Sequence, residues 1–323
     1  MLASGREVKR LSVKAHLFAL LTAAASQFAA SQAPGKAAPE IYAPASAWAM
    51  DYADDSCRLL RTFANGGDQM TISLERFGPG TGLVVSLTTS ALEPRPRAES
   101  AFLAYDDNES SETNLLYTKQ ADGQFFVLFG SFPILREPEL ERLSAEQRRL
   151  RAGDPLALDD EIAAAADVTS LTIRRAFTND IVIQLGAMAG PIRAMHGCID
   201  ELLEHWGVDA ARHRSLTRRA FPAGSPQEWL DINSFPVEEL RKARGGINYV
   251  RVMVDAEGKP TDCHVQRGSE SDSFNTNACR ILPENGKFVP ALDAMGAPIA
   301  SYYTTTFVWS WWTGSRSGGL GRR

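Results

Sequence analysis

GGINYVRVMVDAEGKPTDCHVQRGSESDSFNTNACRILPENGKFVPALDAMGAPIASYYTTTFVWSWW, residues 245–312, is the stretch whose pattern decides the fold. Gly245-Gly246 ends a short helix that opens at Phe235-Pro236, with Glu238 and Glu239 in its first turn, where the helix dipole favours acids. Ile247–Val254 is a strand, Asp255-Ala-Glu-Gly258 a turn, and Thr261–Arg267 its hairpin partner. In that partner Thr261, Cys263 and Val265 share one face, and Asp262, His264 and Gln266 the other. Asp272 is placed to cap a helix over Ser273–Leu282, whose apolar face is Phe274, Ala278, Ile281 and Leu282. The last strand, Ser301–Trp312, alternates Tyr303, Thr305, Phe307, Trp309 and Trp311 against Tyr302, Thr304, Thr306, Val308 and Ser310. The aromatic face reads as core, because buried area is what such rings supply best.

Upstream the signals are those of a second, larger β-rich region. Gln69–Phe77, Gly82–Thr89, Ala101–Tyr105, Gln124–Gly130, Ser170–Phe177 and Ile181–Leu185 read as strands. Gly78-Pro-Gly-Thr-Gly reads as a turn, and Asp106–Thr113 as a polar loop. Two solvated connecting helices are expected within 138–167, and Pro191–Trp206 is an amphipathic helix stopped by Gly207. The expected fold is α+β: a mostly antiparallel N-terminal β domain closed by a helix, then a small α/β domain with an antiparallel sheet. The boundaries are 1–33 signal peptide, 34–47 extended lead-in, 48–209 N-terminal domain, 210–233 linker and hinge, 234–312 second domain and 313–323 disordered tail.

The export assignment rests on the N-terminus. Arg6, Lys9, Arg10 and Lys14 precede a short apolar run from Leu17, and small residues at Ala29–Ala33 offer a cleavage site. That run is short for a membrane span, which takes about 20 residues. A periplasmic location follows, with an uncleaved inner-membrane anchor as the alternative. The net charge of −5 gives no electrostatic footprint for nucleic acid.

Four cysteines in an exported chain favour disulfides. Cys57 and Cys198 stand at the two ends of the first domain and form a natural pair, with Cys57–Cys263 still open. Cys279, one step round the helix from Ala278, can reach back to Cys263. No catalytic, metal or cofactor motif is present: GxSxG, HExxH, the phosphate-binding loops and a complete Cys/His metal set are all missing. His196 beside Cys198 reads as a surface histidine. Glu201, Glu204 and His205 on one helix face, and Asp262 with His264 on one strand face, read as solvated. The expectation is a protein that is not an enzyme and needs no cofactor.

The C-terminal stretch resembles the C-terminal domain of the energy transducer TonB, in a cysteine-containing variant. Phe235-Pro236, Val250–Val254, Asp255-x-x-Gly258, Cys263-x-Val265, Gly268-Ser269, Asn277-Ala278-Cys279, Phe288-x-Pro290-Ala291 and Asp293-x-x-Gly296-x-Pro298 carry the resemblance. It implies a small sheet that takes up a peptide or protein partner in the envelope, an outer-membrane receptor among the candidates, by strand addition. The transducer's membrane helix and Pro-rich rod have no counterpart in residues 1–233, so partner binding is expected ahead of force transmission. The alternatives are an envelope module binding something else, and an exported enzyme with its site in the N-terminal domain.

Overall fold

The structure is a computed structural model that describes residues 38–310, apart from 107, 136–142, 145–146, 149–150, 231–232 and 270. The expected signal, the tail and most of the first connecting helix fall outside the described residues.

The N-terminal strands are β1 (Glu40–Pro44), β2 (Ala49–Tyr52), β3 (Cys57–Asn65), β4 (Asp68–Arg76), β5 (Val84–Thr89), β6 (Ser100–Tyr105), β7 (Ser111–Asn114), β8 (Leu116–Lys119), β9 (Phe125–Ser131), β10 (Ser170–Arg174) and β11 (Ile181–Gln184). Helix α1 (Leu158–Ala166) precedes β10, and α2 (Ala189–His205) follows β11. Their hydrogen-bonded order is β7-β6-β10-β11-β1-β3-β4-β5-β9-β8, with β2 paired to β3 off this path.

Two devices join the ends of that path. Strand β1 begins parallel to β11 (Tyr42↔Ile183) and finishes antiparallel to β3 (Pro44↔Phe63). Strands β7 and β8 are separated only by Leu115, and pair with β6 and β9 at opposite ends of the path. The Thr113 hydroxyl also donates to the Phe129 carbonyl. The result is a closed ring of strands, which leaves few edges for unwanted pairing.

Period-2 burial fills the interior with Tyr42, Phe63, Met70, Leu74, Leu87, Leu103, Phe129, Ile173 and Ile183. Each such side chain contributes about 1.5–3 kcal/mol when fully buried. The barrel interior is a packed core. Ile192, Met195, Ile199 and Leu202 of α2 join it from outside the ring, as the helical spacing of these residues requires.

Two expectations need correction here. Residues 40–44 are an integral strand, where a lead-in was expected; pairing on both sides satisfies a backbone whose side chains gave no alternation signal. Ser111–Asn114 is a strand where a polar loop was expected; its side chains are largely exposed, so polarity concealed its pairing.

Residues 210–233, expected as a hinge, carry α3 (Ala210–Arg214), β12 (Phe221–Pro222) and a 3-10 turn at Pro226–Trp229. Leu216, Ala220 and Trp229 are buried in the C-terminal core. That region continues with α4 (Val237–Arg241), β13 (Gly246–Val254), β14 (Pro260–Arg267), α5 (Asp272–Asn285), β15 (Phe288–Val289), β16 (Ala291–Leu292), β17 (Pro298–Ile299) and β18 (Ser301–Trp309). Its main sheet has the order β14-β13-β18, all antiparallel. Helix α5 starts at Asp272 after a Ser271 cap position and runs to Asn285, longer than expected and without a side-chain cap.

The two Asp-x-x-Gly elements have one physical basis. Asp255 Oδ1 accepts from the amides of Glu257 (3.1 Å) and Lys259 (2.7 Å), and Asp293 Oδ1 from those of Met295 (3.0 Å) and Ala297 (2.9 Å). Gly258 has φ +84°, and a Cβ there would lie 2.2 Å from the Phe288 carbonyl oxygen. Only glycine fits that turn.

The cysteines bond as Cys57–Cys198, separated by 141 positions, and Cys263–Cys279, separated by 16. In the chain-entropy account these loops are worth about 5 and about 3 kcal/mol. Replacing Cys57 and Cys198 together by Ser should therefore lower the unfolding free energy more than replacing Cys263 and Cys279. Urea denaturation of the two double variants checks the order; equal losses would refute it.

Candidate functional site

The three-stranded sheet has two faces and two edges. Its first face is apolar: Val250, Val252 and Val254 of β13 and Phe307 and Trp309 of β18 pack on Phe274, Ala278, Ile281 and Leu282 of α5. Trp311, expected on that face, lies outside the described residues. Trp309 Nε1 donates to Asn248 Oδ1 (2.6 Å), and Asn248 is fully buried. The Asn248 amide in turn donates to Asn275 Oδ1 of α5, so the polar groups in this core are linked.

The second face is covered by the barrel. Tyr249 stacks on Phe77 at 4.1 Å, the rings 13° apart. Tyr302 meets Trp206 edge-on at 5.4 Å, and the Arg251 guanidinium sits 4.2 Å from the same indole. Gln266 Nε2 donates to the carbonyls of Asp55 (3.0 Å) and Phe77 (2.7 Å). His264 Nε2 lies 2.9 Å from Asp55 Oδ2, and Arg267 pairs with Glu75. The Asp262/His264/Gln266 face of β14 thus meets the barrel, although Asp262 and His264 keep substantial exposure. The Gly78–Gly82 turn packs here too; a Cβ on Gly78 would lie 3.3 Å from both Trp206 and Thr304.

The edges are β14 and β18; among the described strands none lies beyond either. They are unequal. On the β18 side, Trp229 lies 6.5 Å from Tyr303 and Phe235 5.9 Å from Trp309. Asn285 and Asn277 of α5 donate to the carbonyls of Trp229 (2.9 Å) and Ser234 (2.8 Å). On β14, Thr261, Asp262 and His264 are exposed, and Cys263–Cys279 staples the strand to α5. Charged side chains on an edge strand discourage self-pairing and still leave its backbone groups accessible.

A second feature lies outside the reach of sequence patterning. His196, expected at the surface, is 8% exposed. Its Nε2 lies 2.7 Å from Glu161 Oε2, and Glu161, expected on a solvated helix, is fully buried. Arg76 closes the group with bonds of 3.2 and 2.7 Å to the two Glu161 oxygens. Burial works to raise the Glu161 carboxyl; the hydrogen bonds from His196 and Arg76 and their charges outweigh it and hold the group below its ordinary value. Glu161 comes from α1, His196 from α2 and Arg76 from β4, so no local pattern brings them together.

Of the other polar candidates, Glu204 accepts from the Ala210 amide (2.8 Å), while Glu201 and His205 are exposed. No group of three metal-ligating side chains occurs among the described residues.

Residues 233–310 match the family model of the Gram-negative bacterial TonB protein C-terminal. This segment is a TonB C-terminal-like domain. The match supports a TonB-like protein of the envelope in general terms. Neither the curated proteins nor the solved structures gave a match. The TonB-like domain carries its sheet as the resemblance implied, and residues 38–209 stand outside the matched segment. No helix among the described residues is long and apolar enough to cross a membrane.

The Arg76–Glu161–His196 group ties both helices to the barrel. Glu161→Ala would leave a buried guanidinium unpaired and should cost about 3–5 kcal/mol of stability. Because the folded Glu161 carboxyl is depressed, its contribution is present above the ordinary carboxyl range and is lost as pH falls through the folded value. Glu161→Gln should therefore weaken the acid dependence of stability. Thermal melts of both variants from neutral to acid pH test this.

Proposed function

We propose that the chain is a periplasmic binding protein of the envelope, and that its TonB-like domain takes up an extended peptide segment by strand addition at β14. The observation that carries this is the accessibility of that edge. One sheet face is filled by α5 and the other by the barrel, and Trp229 and Phe235 stand against β18, which leaves β14 as the more exposed edge strand. Backbone hydrogen bonds along an open edge provide affinity with little demand on side chains. The Cys263–Cys279 staple fixes the strand before binding, so little ordering cost falls on complex formation.

The partner class suggested by the family is the TonB-box segment of an outer-membrane receptor, and the associated process is TonB-dependent transport. A binding role is favoured over catalysis. His196, which bonds Glu161, lines a cleft in which no lining residue is a Ser, Thr or Cys that could serve as a nucleophile.

Hydrogen exchange on the full chain tests the reading. With a synthetic TonB-box peptide at saturation, amides within residues 260–267 should slow by about tenfold or more, equivalent to about 1.4 kcal/mol. Replacing Cys263 and Cys279 by Ser should weaken peptide binding while the barrel amides stay protected. Protection confined to residues 301–309, or none at all, would sink the assignment to β14.

A further inference from the structure

Helix α3 straps the two halves of the chain together. Toward the barrel, its Ala210 amide donates to Glu204 Oε1 of α2 (2.8 Å), and Arg214 Nε donates to Asp200 Oδ1 of α2 (2.9 Å). Toward the TonB-like domain, Arg212 donates to Asp293 Oδ2 (2.7 Å), and His213 Nε2 lies 3.1 Å from Ser301 Oγ, the first residue of β18. The His213 ring stacks on Tyr302 with centroids 6.0 Å apart, and Tyr302 meets Trp206 in the seam between barrel and sheet. From this geometry we propose that His213 is an acid-sensitive latch: neutral, it holds β18 against the helices of the barrel, and proton uptake at its ring releases the TonB-like sheet from the barrel.

The tautomer follows from the partners. The Asp209 carbonyl, 2.8 Å from Nδ1, can only accept, so Nδ1 carries the hydrogen of the neutral ring. Nε2 is then the acceptor for the Ser301 hydroxyl, and Ser301 is buried. A proton on Nε2 removes that acceptor and puts a charge on a half-buried ring. Burial is the leading cause that holds His213 below its ordinary value, and the charge of Arg212 acts the same way; the Asp209 carbonyl and the carboxylates of Asp209 and Glu204 act against it.

The other charged groups of the cleft that His213 lines come from every element packed round it. Asp200 meets Arg214 on α2, and Glu161 meets both Arg76 and His196. Arg219 donates to the carbonyls of Ala152 and Asp154, and burial keeps the Tyr302 hydroxyl neutral. Beyond Tyr302 the seam holds strained polar contacts. Trp206 Nε1, Arg251 Nε and Nη1 and Gln266 Oε1 are buried without a hydrogen-bond partner, and the Arg251 guanidinium has Asp55 Oδ1 3.9 Å away as its ion-pair partner. Water would relieve these groups on opening, so the closed seam depends on the contacts at its ends.

The direction of the pH response is fixed by linkage. Once released, the ring returns to the ordinary histidine value of about 6.5. Its closed-state value is depressed, so the latch contributes fully above the ordinary value, and its contribution is lost as pH falls through the closed-state value. Within that window the open population grows by up to about tenfold per pH unit. Glu161 stays ionised there, because its carboxyl lies below the ordinary carboxylate range. The latch is independent of peptide uptake at β14.

The test follows the full chain by NMR from about pH 7.5 to about pH 5, a range that spans the ordinary histidine value. The Trp206 indole N–H and the Gln266 side-chain amide report on the seam, through their broadening by a soluble paramagnetic agent. Both should become accessible as pH falls, in step with the His213 ring, while the backbone amides of Leu74 in the barrel and Val252 in the sheet stay protected. His213→Gln keeps one donor and one acceptor and takes up no proton, so its reporters should not respond to pH. Reporters that stay shielded at about pH 5, that open together with Leu74 and Val252, or that respond equally in His213→Gln would each overturn the proposal. If His213→Gln fails to fold, the ring titration of the unaltered chain decides: a midpoint at or above about 6.5 refutes the latch.

Discussion

The contact between the barrel and the second face of the C-terminal sheet is the constraint on which the rest of this molecule depends. A three-stranded sheet with one helix buries only one face. Here Tyr249, Arg251 and Tyr302 carry aromatic and cationic groups on the other, and Phe77 and Trp206 cover them. Once that face is closed, the sheet can meet a partner only along an edge. Trp229 and Phe235 against β18 then leave β14 as the more exposed edge. The two disulfides respect the same division: one ties α2 to the barrel and the other ties β14 to α5.

Ring closure shapes the N-terminal half in a comparable way. The double pairing of β1 and the near-continuous run of β7 into β8 remove the edges that an open sheet would present. Large side chains fill the interior. Polar chemistry is pushed to the seam between the halves, where Glu161 and Arg76 are buried together. Such a pair survives burial only because each partner's charge and hydrogen bonds are met. Its third member, His196, joins the pair from α2 by its bond to Glu161.

Much of this was legible in residue order. The alternation in Gln69–Phe77 and Ser301–Trp309, the α2 stripe and the Asp-x-x-Gly turns each encode their element through local periodicity or a side chain bonding its own backbone. Strand β1 was not legible, because its identity comes from neighbours far along the chain. The same holds for β7, whose exposed polar residues look like a loop. The polar candidates divide in the same way. Glu201 and His205 are solvated as their surroundings suggested, whereas His196 is buried against Glu161, 35 positions away.

The sequence by itself determined the α+β class, the spacing of the cysteines, the aromatic core face of the last strand and the TonB-like character of the C-terminal segment. These depend on local periodicity and composition, which survive without knowledge of contacts. Only the tertiary structure decided which sheet face is covered, which edge is open and where Glu161 and His196 lie. Each of these is a long-range packing outcome, fixed by burial between elements that no nearby residues specify.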